Sequence, residues 1–255
     1  MSLSQPHPGT QALSRGLAVV EAVAAGAETL AAIGEAIGCT RSTTQRLTAA
    51  LVRAGYLRVA GGLHRLGPAL IRLGAAARTQ MPLASLARPE LERLAAETGD
   101  TVHLGIEAGD QVLYLDKIGA RRGLEMRSRI GSLLPLALTG VGRALLLDAA
   151  PARWQALHAG AVPAHGRRSG WTEYEASMQA ARGRGTVFDL EDNETGIRCV
   201  AAPVRDADGA IVAAISVAGA VQFMPEVRMR ALSGRVLEAA GAIAAQLGHG
   251  GAGAC

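Results

Sequence analysis

The apolar positions between residues 28 and 66 change period three times, and each change marks an element. Leu30, Ile33 and Ile37 recur at the 3.6-residue spacing that lays one stripe of a helix against a core. Gly38 ends that run, since a glycine just past a helix supplies the left-handed turn that a second, sharply angled helix needs. Thr40 is placed to cap the second helix, its hydroxyl accepting from an unpaired backbone N–H of the first turn. In that helix Leu47, Ala50, Leu51 and Ala54 fall at core spacing, leaving Ser42, Thr43, Gln45, Arg46 and Ala49 to share the opposite face. After Gly55, Tyr56 to Val59 and Leu63 to Leu66 read as two strands around Gly61-Gly62, a dipeptide that accepts the positive φ angles of a tight hairpin. Helix, turn, helix and basic hairpin in this order predict a winged helix-turn-helix.

Downstream, Leu70, Ile71, Leu73 and Gly74 put Pro68 to Gln80 on a helical pattern that stops before Met81-Pro82. This reads as a linker helix whose apolar face favours burial against a partner subunit, the alternative being an interdomain helix packed in its own subunit. A helix from Leu86 to Thr98 follows, then strands at Thr101 to Glu107 and Gln111 to Ile118 around the turn Ala108-Gly109-Asp110. Next come a strand at Leu124 to Ile130 and helices near Thr139 to Ala149 and Thr172 to Arg184. Strands follow at Thr186 to Leu190, Ile197 to Arg205 and Ala210 to Val217, and a final helix runs from about Pro225 to Leu247. Strands joined mainly by hairpins, with helices grouped around them, predict an α+β domain with an antiparallel sheet. The expected organisation is a flexible terminus (1–10), the winged helix-turn-helix (11–67), the linker helix (68–82), the second domain (83–247) and a glycine-rich flexible terminus (248–255).

Charge changes the reading of the first third. Residues 1–82 hold eight arginines against three glutamates, a net of +5, while the remaining residues carry 18 basic and 19 acidic side chains. Excess positive charge concentrated in the first third of the chain is the footprint of a polyanion partner. Ser and Thr at a helix N-terminus suit phosphate oxygens, and Gln45 and Arg46 have the two-pronged donor geometry that pairs with adenine or guanine edges in the major groove. Arg58 and Arg65 ride on the wing, which would lie over the phosphate backbone; the plainer alternative is a solvated hairpin carrying two arginines for solubility. The candidate DNA contacts are Arg15, Arg41, Ser42, Thr43, Gln45, Arg46, Arg58 and Arg65.

Composition mostly excludes. The chain of 255 residues has room for two cores, and with 49% apolar residues but 3% aromatics those cores are aliphatic. No apolar run approaches the roughly 20 residues that span a bilayer, and the first ten residues lack a signal-peptide layout, so a cytoplasmic protein is expected. Cys39, Cys199 and Cys255 have no metal-ligand spacing and cannot all pair within the chain, which fits a reduced compartment. His158 and His165 lie too far apart for a helical metal pair, and neither a metal nor a cofactor is expected.

Several stretches in order resemble the IclR-type bacterial transcription regulators. They are Leu13-Ser14-Arg15-Gly16-Leu17-Ala18-Val19-Val20, Arg41-Ser42-Thr43-Thr44-Gln45-Arg46-Leu47 and the wing ending Arg65-Leu66-Gly67. Further on come Met126-Arg127-Ser128-Arg129-Ile130-Gly131, Pro135-Leu136, Thr139-Gly140-Val141-Gly142-Arg143-Ala144-Leu145 and Gly196-Ile197-Arg198-Cys199-Val200-Ala201-Ala202-Pro203-Val204. The resemblance implies a GAF-like effector-binding fold for the second domain and a dimer, often paired into a tetramer, matched to the two half-sites of a palindromic operator. It also implies an effector pocket lined by Gly140, Val141, Asp189, Ile197, Cys199 and Ser216, with Met126 and Leu134 as apolar walls. Ala218 stands where well-known members have a second serine, and Val141 replaces a smaller alanine; both remove polarity or space.

The residues say something about that pocket unaided. Period-2 geometry puts Ile197, Cys199 and Ala201 on one face of their strand and Ala214, Ser216 and Ala218 on one face of the next. Thr139-Gly140-Val141-Gly142 opens a helix whose free N–H groups suit an anion such as a carboxylate. Plainer readings exist for each: Cys199 as an inert buried residue, the glycines as close helix packing, His103 as a hydrogen-bonded structural histidine, Asp189 as a turn residue. The expectation is a DNA-binding transcription regulator answering to a small carboxylate and controlling catabolism of a small organic acid. Two other classes stand against it: a thiol enzyme built on Cys199, His103 and Asp189, and an architectural DNA-binding protein without an effector.

Overall fold

The computed structural model describes residues 10–121, 126–163 and 168–250, and the chain divides between Pro82 and Leu83 into two compact units. The first unit opens with α1 (Gln11–Ala24), followed by α2 (Leu30–Ala36) and α3 (Arg41–Arg53). Thr29 and Thr40 cap α2 and α3, each hydroxyl accepting from a backbone N–H three residues on. Gly38 between them has φ +62°, the left-handed conformation expected there. The wing is β1 (Leu57–Ala60) paired antiparallel with β2 (Leu63–Leu66), and its two-residue loop holds Gly61 and Gly62 at φ +60° and +77°. Val19, Val23, Ile33 and Leu57 form the core of this unit, with Ile37, Leu47, Leu51 and Val52 against it.

The inner face of α3 differs from the expected stripe. Ala50 and Ala54 are exposed, and Thr44 and Thr48 are buried in their place. Each threonine satisfies its hydroxyl on its own helix, Thr44 on the Thr40 carbonyl and Thr48 on that of Gln45, so burial leaves no polar group unpaired. After the wing, α4 (Pro68–Gln80) starts with proline at its first position and buries no residue; Ile71 is 78% exposed and Leu73 38%.

The second unit is a six-stranded antiparallel sheet in the order β5-β4-β3-β8-β7-β6. It comprises α5 (Leu83–Thr98), β3 (Thr101–Ala108), β4 (Gln111–Ile118), β5 (Leu133–Pro135), α6 (Gly140–Leu145), α7 (Pro151–Gly160), α8 (Trp171–Arg184), β6 (Val187–Leu190), β7 (Ile197–Arg205), β8 (Ile211–Ala220) and α9 (Glu226–Gly250). One face packs on α5 and α9 through Leu91, Leu94, Val102, Leu104, Ile215 and Val236. The other packs on α6, α7 and α8 through Tyr114, Val141, Leu146, Trp154, Tyr174 and Met178.

Four expectations change. No strand runs to Ile130: residues 122–125 lie outside the described set, and 126–130 are irregular because their polar groups are taken locally. Lys117 donates to the carbonyls of Met126 and Ser128, and the Arg129 N–H goes to Ser132 Oγ. The edge strand is β5 instead. The helix expected from Thr139 to Ala149 stops at Leu145 and tightens into three-residue turns. An unexpected helix, α7, begins at Pro151. Finally, α9 carries the chain to Gly250, past the expected start of a flexible end at Gly248. The expected flexible terminus 1–10, save Thr10, lies outside the described residues, as do His165 and Cys255.

Candidate functional site

Both candidate regions are set by the elements that carry them. On α3 the side chains of Arg41, Ser42, Gln45, Arg46 and Ala49 are exposed, and Ser42, Gln45, Arg46, Ala49 and Arg53 flank one shallow surface depression. Thr43 is half-buried, and its hydroxyl is drawn to Thr40 Oγ1 at 3.1 Å. Arg15 is exposed on α1. In the wing Arg58 and Arg65 are direct cross-strand partners, a placement that sets like charges side by side. Glu28 relieves it by pairing with Arg65 and accepting the His64 N–H through its backbone carbonyl. Arg65 is therefore already engaged, while Arg58 makes no ion pair among the described residues.

In the second unit one cavity of about 210 Å³ opens on the α6 side of the sheet, and all eight residues proposed for the pocket line it. The strand register explains the convergence. Asp189, Cys199, Ala218 and Thr101 form one cross-strand row, and Val187, Ala201, Ser216, His103 and Lys117 form the next. Hence the thiol of Cys199 and the hydroxyl of Ser216 do share a face. Above them sits the first turn of α6, capped by Thr139, whose Oγ1 accepts the Gly142 N–H at 2.9 Å. Gly140 has to be glycine: a β-carbon there would stand 2.3 Å from Cys199 Sγ. Met126 and Leu134 close the apolar side, Met126 packing with Cys199, Ala218 and Ile197.

Sequence reasoning left out other parts of the wall. Tyr114 and Thr139 line it, Arg127 and Glu194 pair across its rim at 3.5 Å, and Asn193 stands beside them. His103 also lines it, with Nε2 2.8 Å from Ser128 Oγ and Nδ1 3.4 Å from Ser216 Oγ. Arg143, 2% exposed, lies behind the wall. It donates to Asp192 Oδ2 and to the Phe188 carbonyl, bracing the turn that carries Asp189, Asn193 and Glu194. A charged residue directly after the uncharged Thr139-Gly140-Val141-Gly142 on a short buried helix was the available sign.

Burial shifts the titratable side chains of the interior toward their neutral forms. Burial pushes the Asp189 carboxyl up to about 6, although the Arg143 charge works the other way. Burial also raises the Cys199 thiol far above its ordinary range, and it lowers the His103 imidazole to about 3, helped by the Lys117 charge. These directions oppose nucleophilic chemistry, which needs a thiolate and a basic imidazole. The ring nitrogens of His103 moreover face Ser128 and Ser216, not the thiol. Among the described residues no cluster of three or more His, Cys, Asp or Glu side chains could hold a metal, and no helix is long and apolar enough to cross a membrane.

Comparison with known proteins agrees with both halves of this picture. The chain is 32% identical over 243 residues to the HTH-type transcriptional regulator BhcR of Paracoccus denitrificans, covering 91% of this chain and 85% of that one. It is 27% identical to the transcriptional repressor IclR of Escherichia coli, covering 90% and 87%. Its fold matches an IclR homolog from Microbacterium hydrocarbonoxydans solved with 4-hydroxybenzoate, with a TM-score of 0.80 at 24% identity and coverage of 93% and 99%. These relatives are regulators rather than enzymes, which removes the thiol-enzyme alternative. The IclR helix-turn-helix domain matches residues 12–61 and the bacterial transcriptional regulator IclR C-terminal domain residues 75–245, so the chain belongs to the IclR family of transcriptional regulators.

Proposed function

We propose that this regulator reads a palindromic operator as a dimer or tetramer and releases or tightens its grip when a small carboxylic acid enters the cavity beside α6. The observation that supports the effector half is that the eight residues implied by the family resemblance, from six segments of chain, line one cavity. Its volume suits one small organic molecule, below the several hundred Å³ of sites for drug-sized ligands. The carboxylate would lie at the start of α6, beside Gly140 and Val141. The remainder would lie between Met126 and Leu134.

For DNA, Gln45 and Arg46 read base edges, Arg41, Ser42 and Thr43 approach phosphates at the α3 N-terminus, and Arg15, Arg58 and Arg65 supply charge around them. A second copy covers the apolar residues left bare on the first unit, Leu13, Leu17, Ile71 and Leu73, which a lone chain exposes by 38% or more. The protein works in the cytoplasm, and its regulated genes handle a small organic acid.

The test is fluorescence anisotropy on a labelled fragment from upstream of the protein's own gene, with scrambled competitor, at several salt concentrations, and with a panel of small carboxylic acids. Competitor-resistant binding shifted by one acid is the expected outcome, and Gly140→Val or Ser216→Leu should remove the shift while leaving DNA affinity near normal. Binding that resists competitor yet ignores every acid in the wild type overturns the effector half.

A further inference from the structure

His103 occupies a position that the regulator reading leaves unused. It lies in the middle of the sheet on β3, directly opposite Ser216 on β8 and Lys117 on β4, and its ring lines the cavity. Its side chain is held at both ends by hydroxyls, Ser128 Oγ at 2.8 Å on Nε2 and Ser216 Oγ at 3.4 Å on Nδ1. The first contact is a full hydrogen bond and the second sits at the limit of one, so the Ser216 hydroxyl is only loosely held. Ser216 is 1% exposed and faces the cavity between Ala214 and Ala218, which makes it the single hydroxyl on that face of β8.

A neutral imidazole carries one proton on two nitrogens, and the partner of each nitrogen decides which one holds it. With the proton on Nε2, the ring donates to Ser128 and accepts from Ser216, whose lone pairs then face the cavity. With the proton on Nδ1, the ring donates to Ser216, whose own O–H is freed to donate inward. Burial and the neighbouring Lys117 charge keep the ring neutral, so both arrangements are open at physiological pH. Apolar Met126 and Leu134 offer nothing of this kind on their side of the cavity.

Resting on the effector reading above, we propose that His103, acting with Ser216, is the specificity-determining end of the pocket and selects carboxylic acids that carry a second oxygen, a hydroxyl or a carbonyl, away from the carboxylate. The carboxylate end accepts any small acid. The His103 end separates the oxygenated ones from their plain parents, because only they offer an oxygen to the Ser216 hydroxyl, which the ring holds loosely at 3.4 Å and can present as donor or acceptor.

The experiment is titration calorimetry of the full chain with propionate, lactate and pyruvate, and with benzoate and 4-hydroxybenzoate. In the wild type the oxygenated member of a series should bind roughly tenfold more tightly than its parent, the worth of one hydrogen bond in a closed site. His103→Leu should erase that preference while the parent acid's Kd moves by less than about threefold. Because a buried leucine can disturb folding, His103→Asn and His103→Gln are measured beside it. Asn can place a polar atom where Nδ1 stood and should keep most of the preference, whereas Gln reaches only toward Ser128 and should lose it. A wild type without preference, or a Leu or Gln variant with the wild-type ratio, overturns the assignment to His103 while leaving the effector reading intact. If none of the five acids binds the wild type, the carboxylate reading itself fails and this inference falls with it.

Discussion

At the scale of single residues, the contact between Gly140 and Cys199 carries a test that does not depend on knowing the ligand. A methyl group at position 140 would collide with Sγ, and its next neighbours, Asp189 Cβ and Ala201 Cβ, stand at ordinary distances of 3.4 and 3.6 Å. Gly140→Ala alone should cost about 1–3 kcal/mol by overpacking. Adding Cys199→Ala removes the obstacle, so the double variant should recover most of that loss in urea melts. Simple additivity of the two costs would mean that the contact is not the constraint. Asp189 supplies a second test, with a definite sign. Burial pushes its carboxyl up to about 6 in the folded chain, above the ordinary carboxylate value of about 4. A raised carboxyl pKa means that the folded state holds the proton longer than the unfolded one. The resulting stability is therefore fully present below about pH 4 and lost as pH rises through about 6. Relative to Asp189→Asn, whose amide does not titrate, the wild type should lose on the order of 2–3 kcal/mol across that window and then run parallel to the variant above it. A constant difference between the two proteins from pH 4 to 7 would contradict the assignment.

The elements show what a sequence can and cannot announce. The wing and the α2–α3 turn were legible because Gly38, Gly61 and Gly62 impose backbone conformations that few other residues tolerate. The alternating residues of β7 and β8 gave the face each shares within its own strand, whereas the coincidence of the two faces comes from the register. The inner face of α3 was misread because burial of Thr44 and Thr48 depends on hydroxyls returning to their own helix, which apolar spacing does not register. Helix α7 escaped because its buried face is essentially Trp154 and His158, one turn apart, although Pro151 at its start was a usable signal. His103, Tyr114 and Asn193 reach the cavity from three different segments, and only the strand order unites them. The same element-level view separates two kinds of arginine. Arg46 stands on the exposed face of α3 beside Gln45, so Arg46→Ala should cost about 1–3 kcal/mol on the operator and relax discrimination at one base pair. Arg58, on the wing opposite an Arg65 already paired with Glu28, should behave differently on replacement by Ala: a weaker grip on all sequences alike and a salt slope smaller by about one. Anisotropy titrations on operator and scrambled DNA at three salt concentrations distinguish these patterns. A uniform loss for Arg46 would make it a phosphate contact.

For the whole molecule, regulation requires that two separately folded units influence one another, and the first unit shows where a partner is needed. Helix α4 buries none of its residues within the chain, and Ile71 alone leaves 78% of its surface bare. If a second copy covers this face, Ile71→Asp puts a charge where an apolar contact should be. Sedimentation should then shift toward the monomer, and operator affinity should fall steeply, because each half-site is bound without the other. The cavity in the second unit lies among residues far along the chain, all beyond Pro82, so the variant should bind an effector acid with the wild-type Kd. Thermodynamic linkage makes this a quantitative prediction. Whatever factor the acid imposes on operator affinity, the operator must impose on acid affinity, and for the wild type both titrations should return the same number. In Ile71→Asp that factor should shrink toward one in both directions while acid binding itself persists. A variant that stays dimeric, or a monomer that keeps the full coupling, would place communication between the units within a single chain and remove the need for a partner across α4.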